Sequence, residues 1–477
     1  MPLRAASLEL ATLALAFAVL AWDLFAPARP RDGRRGGLYA LAATGLVGIL
    51  FASGRLDTPA SLTDAFVLDS FALLVKRILL ATALLAVAGL HTHTRARGTS
   101  WRSAEAIVLL LFATVGGMAL VSARELLTLF VAFELLSLPL YVLAALEKER
   151  RTAPEGAIKM FLFGSVSSAV LLLGIGLVFA GCGTTFWLRV GAWPHDPLIA
   201  LGAALILAGF GFKLAAFPFS LWAPDTYQAA PAPVVAFLSV APKAAAVAAL
   251  FRLVFELFAP AGLPVGSWIA VLSAATMVVG NLLALRQHDL KRLLAYSGIA
   301  QIGYVLAALA AGTRLAAGLS LFYFVAYLAA NAGAFLVVAA MESAGEEPTL
   351  HGARNMIRRS PLLASSMLVF LLSLGGIPFA LGFWGKMYVF LAAADAGLWW
   401  LVLLCALLAV VALYYYLTIA RWMFIVREEA PALAVAAPLA AAILACAIVA
   451  GAGGLVPQRF VDPALEAVDS MTNSSSR

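Results

Sequence analysis

Four ionisable side chains stand inside apolar sequence, where a charge is expensive. Glu134 lies in LTLFVAFELLSLPLYVL, about ten residues and hence roughly 15 Å into its apolar run. Lys213 sits in GFGFKLAAFPF, Lys243 in VVAFLSVAPKAAAVAAL and Lys386 in GFWGKMYVF. At the centre of a bilayer each would cost about 2.5–3.5 kcal/mol even on a lenient insertion scale, so the four together approach about 10–14 kcal/mol. A set of static ion pairs does not balance, because one carboxylate cannot neutralise three lysines. Some of these lysines are then neutral part of the time, or in contact with water. Lysine suits that role because burial readily lowers its pKa, whereas arginine stays charged. A row of lysines whose protonation depends on neighbouring charge is, chemically, a proton relay.

The elements that must hold these groups follow from composition. The 477 residues are 63% hydrophobic and 12% charged, against about 45–50% and about 25% for soluble domains. Apolar runs of about twenty residues, each long enough to cross the hydrocarbon core, recur along the whole chain. They imply an all-α integral membrane protein, one transmembrane domain over 1–477, with about fourteen spans. These fall near 8–26, 37–53, 65–90, 103–123, 124–146, 154–181, 197–223 and 229–258, then 265–285, 290–312, 314–341, 360–392, 396–424 and 434–454. The net charge of +7 reflects topology rather than nucleic-acid binding.

Loops rich in Arg and Lys alternate with poor ones. Arg29, Arg31, Arg34 and Arg35 follow span 1, and Arg95, Arg97 and Arg102 follow span 3. Lys148, Arg150 and Arg151 follow span 5, Arg286, Lys291 and Arg292 follow span 9, and Arg354, Arg358 and Arg359 follow span 11. The alternate loops hold little more than Arg55, Arg124, Arg189 and Arg314. Positive loops mark the cytoplasmic side, so both termini are expected outside. The first span carries only Arg4 before it, unlike a signal peptide, whose charge precedes its apolar core.

Two spans are interrupted. Span 7 contains Gly209, Gly211 and Pro218, and span 12 contains Gly375, Gly376, Pro378 and Gly382. Proline removes a backbone donor and clashes one turn back, and in lipid the freed carbonyls need partners inside the bundle. If spans 4–8 (103–258) and 9–13 (265–424) are two five-helix inverted repeats, both breaks fall in the fourth member of a repeat. That is the mark of a transporter path. Spans 1–3 are then peripheral, with span 4 completing residues 1–123, and 434–454 is the last helix.

Other residues carry less. Glu155 with Lys159 and Arg252 with Glu256 are spaced as local helix pairs. Asp69, Lys76 and Arg77 read as structural or peripheral, and Tyr414, Tyr415 and Tyr416 as packing or interface residues. The histidines (His91, His93, His195, His288, His351) fall in or beside loops, and Cys182, Cys405 and Cys446 share no metal or redox spacing. No metal site is expected.

With these residues in view, the sequence resembles the N-type antiporter-like subunits of bacterial complex I, the proton-pumping NADH–quinone oxidoreductase. The segments that carry the likeness are FELLSLPLYVLAAL, GFKLAAFPFSLWAPDTYQAAPAPVVAFLSVAPKAAA, HDLKRLLAYSGIAQIGYVL, YFVAYLAANAGAF and LLSLGGIPFALGFWGKMYVF, spanning spans 5 through 12. The resemblance implies that Glu134 and Lys213 form a couple, Lys243 is the central lysine and Lys386 stands near the exit. It implies M-type and K-type membrane subunits as partners within the lipid bilayer of the bacterial cytoplasmic membrane. It also implies no cofactor on this chain, with FMN, iron–sulfur clusters and quinone in partner subunits. Two departures stand out: Gln301 where the family often has histidine, and Phe379 where a second proline often follows Pro378. The M-type sibling usually carries glutamate in place of Lys386, and the L-type continues into a long lateral helix. The rival readings are a subunit of a multisubunit cation/proton antiporter and a structural anchor of a hydrogenase-like complex.

Overall fold

The computed structural model describes residues 2–25, 31–56, 58–98, 102–147, 152–187, 196–428 and 431–473. Arg29, Lys148, Arg150, Arg151, Arg189 and His195 lie outside the described residues. The fold is all-α apart from one antiparallel hairpin, β1 Ala60–Thr63 and β2 Phe66–Leu68, with Ala60 opposite Leu68 and Ser61 opposite Val67. The helices run α1 Ser7–Phe25, α2 Arg31–Ser53, α3 Ser70–Ala96, α4 Ser103–Ser122, α5 Leu126–Ala144, α6 Thr152–Cys182 and α7 Pro197–Leu214. There follow α8 Trp222–Ala229, α9 Ala232–Leu238, α10 Ala241–Arg252, α11 Val265–Ala284, α12 Leu290–Ala311, α13 Arg314–Tyr327 and α14 Gly333–Ser343. The last are α15 Met356–Arg359, α16 Pro361–Gly375, α17 Leu381–Asp395, α18 Trp399–Phe424, α19 Ala437–Ala452 and α20 Gln458–Asn473.

Among the described residues, thirteen helical segments are long and apolar enough to cross a membrane. The span expected at 360–392 is instead divided into α16 and α17, of fifteen residues each. Starts are set by polar side chains that take up orphan backbone N–H groups. Asp69 caps α3, Asp196 caps α7, Asp289 caps α12 and Thr313 caps α13.

Burial sorts the spans by position. The apolar window of Ala232–Phe258 is 100% buried, whereas that of α18 is only 33% buried. Residues 232–258, α12 and 314–343 therefore form the axis, and α1, α2, α6, α18 and α19 present apolar faces outward, as a bilayer requires. The two central segments are not uniform helix. Each contains a π turn, Leu253–Phe258 and Leu328–Ala332, a local widening often found at functional positions. At the hairpin end, amphipathic α20 lies against α13 and α3. Gly318 permits that approach, since a Cβ there would come within 2.9 Å of Leu465.

Candidate functional site: three lysines beside helix breaks

Lys213 occupies the last turn of α7. The helix stops because Ala215 turns into the left-handed region (φ 54°). The carbonyl of Gly211 is then taken by the N–H of Ala216, and that of Phe212 by the N–H of Ala215 and the indole of Trp222. Buried Lys213 donates to Ser137 Oγ on α5, with its Nζ 4.3 Å from the centre of the Phe133 ring.

Glu134 lies within electrostatic reach of Lys213, with no ion pair of 4 Å or less between them. Its carboxylate accepts instead from Ser168 Oγ on α6. The reason lies in α5. Along that helix, Val131 and Leu138 stand about 40–60° to one side of Glu134 and Ser137 about 60° to the other, so half-buried Glu134 borders both the outward stripe of Val131 (65% exposed) and Leu138 (52%) and the buried face that carries Ser137. Ser137 Oγ in turn donates to the carbonyl of Phe133.

Lys243 stands in the first turn of α10, just after an interruption at Ser239–Val240. Span 8 is thus broken as well, where continuous helix was expected. The Nζ of Lys243 donates to the carbonyl of Gly298 at 3.1 Å and lies 6.0 Å from the Tyr227 ring centre. Gly298 leaves room: a Cβ there would sit 3.2 Å from Lys243 Nζ and 2.9 Å from the hydroxyl of Tyr327. That buried hydroxyl has no protein partner.

Lys386 lies on α17, after the break that follows Gly375. Gly376 (φ 79°) and Phe379 (φ 78°) make the turn. Two carbonyls at the end of α16 are left to side chains. Lys386 Nζ takes that of Leu374 at 2.7 Å and that of Gly375 at 3.3 Å. Gln301 Nε2 shares the Leu374 carbonyl at 3.0 Å, bonds Tyr416 Oη at 3.0 Å, and its Oε1 accepts from Tyr323. A small cavity beside them is lined by Gln301, Tyr323, Tyr327, Ser373 and Lys386. The position expected to carry a relay step is therefore a polar junction without imidazole.

The three lysines share one design. Each lies at a helix break, each faces an aromatic ring, and each donates only to neutral oxygen: a serine hydroxyl or a freed backbone carbonyl. A buried ammonium without a counter-ion is held weakly and can give up its proton without stranding a carboxylate.

The model of the family described as "NADH:quinone oxidoreductase/Mrp antiporter, TM" matches residues 123–412, the segment that holds all four groups. The chain belongs to that family. Among curated relatives of this family, the NADH-quinone oxidoreductase subunit N of Trichlorobacter lovleyi is 37% identical over 93% of this chain and 91% of its own length. That of Moorella thermoacetica is 38% identical over 88% of each. A chain of respiratory complex I from Thermus thermophilus superposes with a TM-score of 0.81 at 35% identity, covering 94% of this chain and 98% of that one. A chain of the Mrp complex from Dietzia shares the fold at 21% identity (TM-score 0.84, 98% and 97% covered).

Three further polar groupings of this family member were not legible beforehand. At the hairpin end, Lys76 pairs with Glu9 at 2.6 Å, and Arg252 is held by both oxygens of Asp69 at 2.6 and 2.7 Å. Glu256, expected to pair locally with Arg252, reaches it at 3.4 Å, reaches Arg124 at the same distance and takes the indole of Trp187 at 2.9 Å. At the opposite end, His93, Glu147, Glu342 and Lys291 form a buried cluster, although His93 and Lys291 had read as loop residues. Near it, Asp225 joins Lys159 at 2.7 Å and Arg292 at 2.5 Å. Burial pushes the Asp225 carboxyl up, but those two cations hold it below the usual range. Glu9 could have been found by the cost argument that found Glu134, since it too lies inside an apolar span.

Proposed function

We propose that the chain is the N-type membrane subunit of a bacterial proton-translocating NADH–quinone oxidoreductase, and that Glu134, Lys213, Lys243 and Lys386 carry the protons. The observation that carries this reading is the set of three buried lysines at helix breaks, each bonded to neutral oxygen alone. The relatives named subunit N, matched over nearly their whole length, support the assignment to that complex. In it, the proton path runs from Lys213 through Lys243, past Tyr327 and the Gln301 cavity, to Lys386. Glu134 favours the charged form of Lys213, and a change at Glu134 or Ser137 lets the proton move on.

Residues 103–258 and 265–424 act as the two inverted repeats, with the breaks after Leu214 and Gly375 at corresponding places. Both termini lie on the periplasmic side of the cytoplasmic membrane, which places the hairpin end outside and the His93 cluster inside. Flavin, iron–sulfur clusters and quinone reside in partner subunits, and M-type and K-type subunits flank this one in the bilayer.

Lys213→Ala in the reconstituted complex tests the reading. Coupled proton uptake is expected to collapse while the subunit stays assembled. Full pumping by that variant would leave the structural-anchor reading in its place.

A further inference from the structure

The buried cluster at the end opposite the hairpin is built of groups that titrate, and the lysine path does not use them. His93, in the last turn of α3, is 1% exposed. Its Nε2 lies 2.6 Å from Glu147 Oε1, just past α5, and its Nδ1 faces Glu342 Oε2 on α14 at 3.8 Å with no hydrogen-bond partner. Glu342 is held by Lys291 of α12 at 2.8 Å and by the N–H of Ala232 at 3.1 Å. Lys291 also donates to the carbonyl of Ala230 at 2.6 Å. Among the described residues, Arg102, bonded to the carbonyl of Leu146, and Tyr39 of α2, bonded to Thr94, are further titratable or charged groups at this end.

A neutral imidazole donates from one nitrogen and accepts at the other. With a carboxylate on each side, one of the two then faces a lone pair. A second proton turns both nitrogens into donors, one toward Glu147 at 2.6 Å and one facing Glu342 at 3.8 Å. The cluster is also on the way. Lys291 and Gly298 lie on one helix, seven residues or about 10 Å apart, and the Gly298 carbonyl holds Lys243.

We propose that His93 is a proton-holding site that loads the lysine path from the cytoplasmic side, between Glu147 and Glu342. The proposal rests on the proton-translocating reading above. In the step, the lone pair of Nδ1 takes a proton from a hydronium ion of the cytoplasmic water, leaving water and an imidazolium. The imidazolium returns to neutral imidazole by giving that proton to Glu342, whose carboxylate becomes a carboxylic acid and loosens from Lys291. Glu342 then releases the proton toward the amine of Lys243 and regains its charge and its pair.

The test is proton uptake per NADH oxidised by reconstituted complex, followed across pH for wild type, His93→Gln, Glu342→Gln and Lys213→Ala. Glutamine keeps a polar side chain at position 93 but cannot hold the second proton. His93→Gln is expected to assemble, to pump several-fold less, and to lose more as pH rises and protons become scarce. Glu342→Gln should shift the profile in the same sense. Wild-type uptake with an unchanged pH profile in assembled His93→Gln overturns the loading site. If Lys213→Ala fails to pump in that same experiment, the wider reading survives; if Lys213→Ala pumps normally, the wider reading is what has failed. Should neither cluster variant assemble, infrared difference spectra of the wild-type complex, with ring-15N histidine in this subunit, decide. A histidine whose protonation follows turnover supports the site, and silence of the labelled histidines during turnover overturns it.

Discussion

At the hairpin end, buried cations face carboxylates: Lys76 meets Glu9, Arg252 meets Asp69 and Arg124 meets Glu256. Along the axis, Lys213, Lys243 and Lys386 meet a serine hydroxyl and backbone carbonyls. Both regions bury cations in a low-dielectric interior, yet they solve the cost in opposite ways. The outer pairs cancel charge with charge, and their guanidinium groups cannot release a proton near neutrality. They tie α1 to α3 and α3 to α10, which closes the peripheral helices onto the axis. The axial lysines are bonded to neutral oxygen, and only Lys213 has a carboxylate, that of Glu134, within electrostatic reach. The paired cluster thus holds the fold together, while the proposed function assigns transport to the axial lysines.

The comparison breaks most visibly at Asp69. Removing one partner of a buried pair strands the other, at a cost of about 3–5 kcal/mol. Asp69→Ala leaves Arg252 without its bidentate acceptor inside the fold, so the subunit should be largely lost from the membrane fraction, as measured by immunoblot and native electrophoresis of the complex. An Asp69→Ala subunit present at wild-type level that fails only in pumping would show that the outer cluster belongs to the path. Lys386→Arg sharpens the other side. Arginine can still reach the carbonyls of Leu374 and Gly375, so assembly should persist. Proton uptake should nevertheless be nearly abolished, because a guanidinium does not deprotonate at working pH. Normal pumping by that variant would take Lys386 out of the protonation cycle.

Much of this contrast could be read from residues alone, and the rest could not, for reasons that differ by site. Proline and paired glycines announce the breaks in α7–α8 and α16–α17, since each removes or redirects backbone hydrogen bonds wherever it occurs. The interruption at Ser239–Val240 carries no glycine; its signal is Pro242, which begins α10 and in a continuous helix would clash with the carbonyl of Leu238, where α9 ends. Glu9 and Lys76 are separated by a whole helix in sequence, so their meeting depends on how α1 lies against α3. His93 is followed by Arg95 and Arg97, which gave its segment the look of a loop although α3 continues to Ala96. The couple of Glu134 and Lys213 is implied by resemblance, and a sequence does not say how close the two side chains come.

That separation leads to the smallest and most discriminating effect, at Glu134. Two unit charges roughly 6–10 Å apart interact by about 2–3 kcal/mol at an effective dielectric of about 20, and about 1.4 kcal/mol corresponds to tenfold in an equilibrium. Glu134→Gln removes this influence without removing the proton carrier, so it should slow coupled uptake by about 30- to 150-fold and spare assembly. Glu134→Asp keeps the charge on a shorter arm and should retain more activity than Gln. Because Ser137 is the group that Lys213 touches, Ser137→Ala should perturb the same step, and the Glu134→Gln/Ser137→Ala double variant should lose little more than the worse single one. The measurement is a double-mutant cycle on proton uptake rates in reconstituted complex, where coupled residues depart from additivity by about 0.5 kcal/mol or more. If the losses simply add, Glu134 acts on something other than Lys213, and the coupling between the two has to be given up while the axial lysines keep their role.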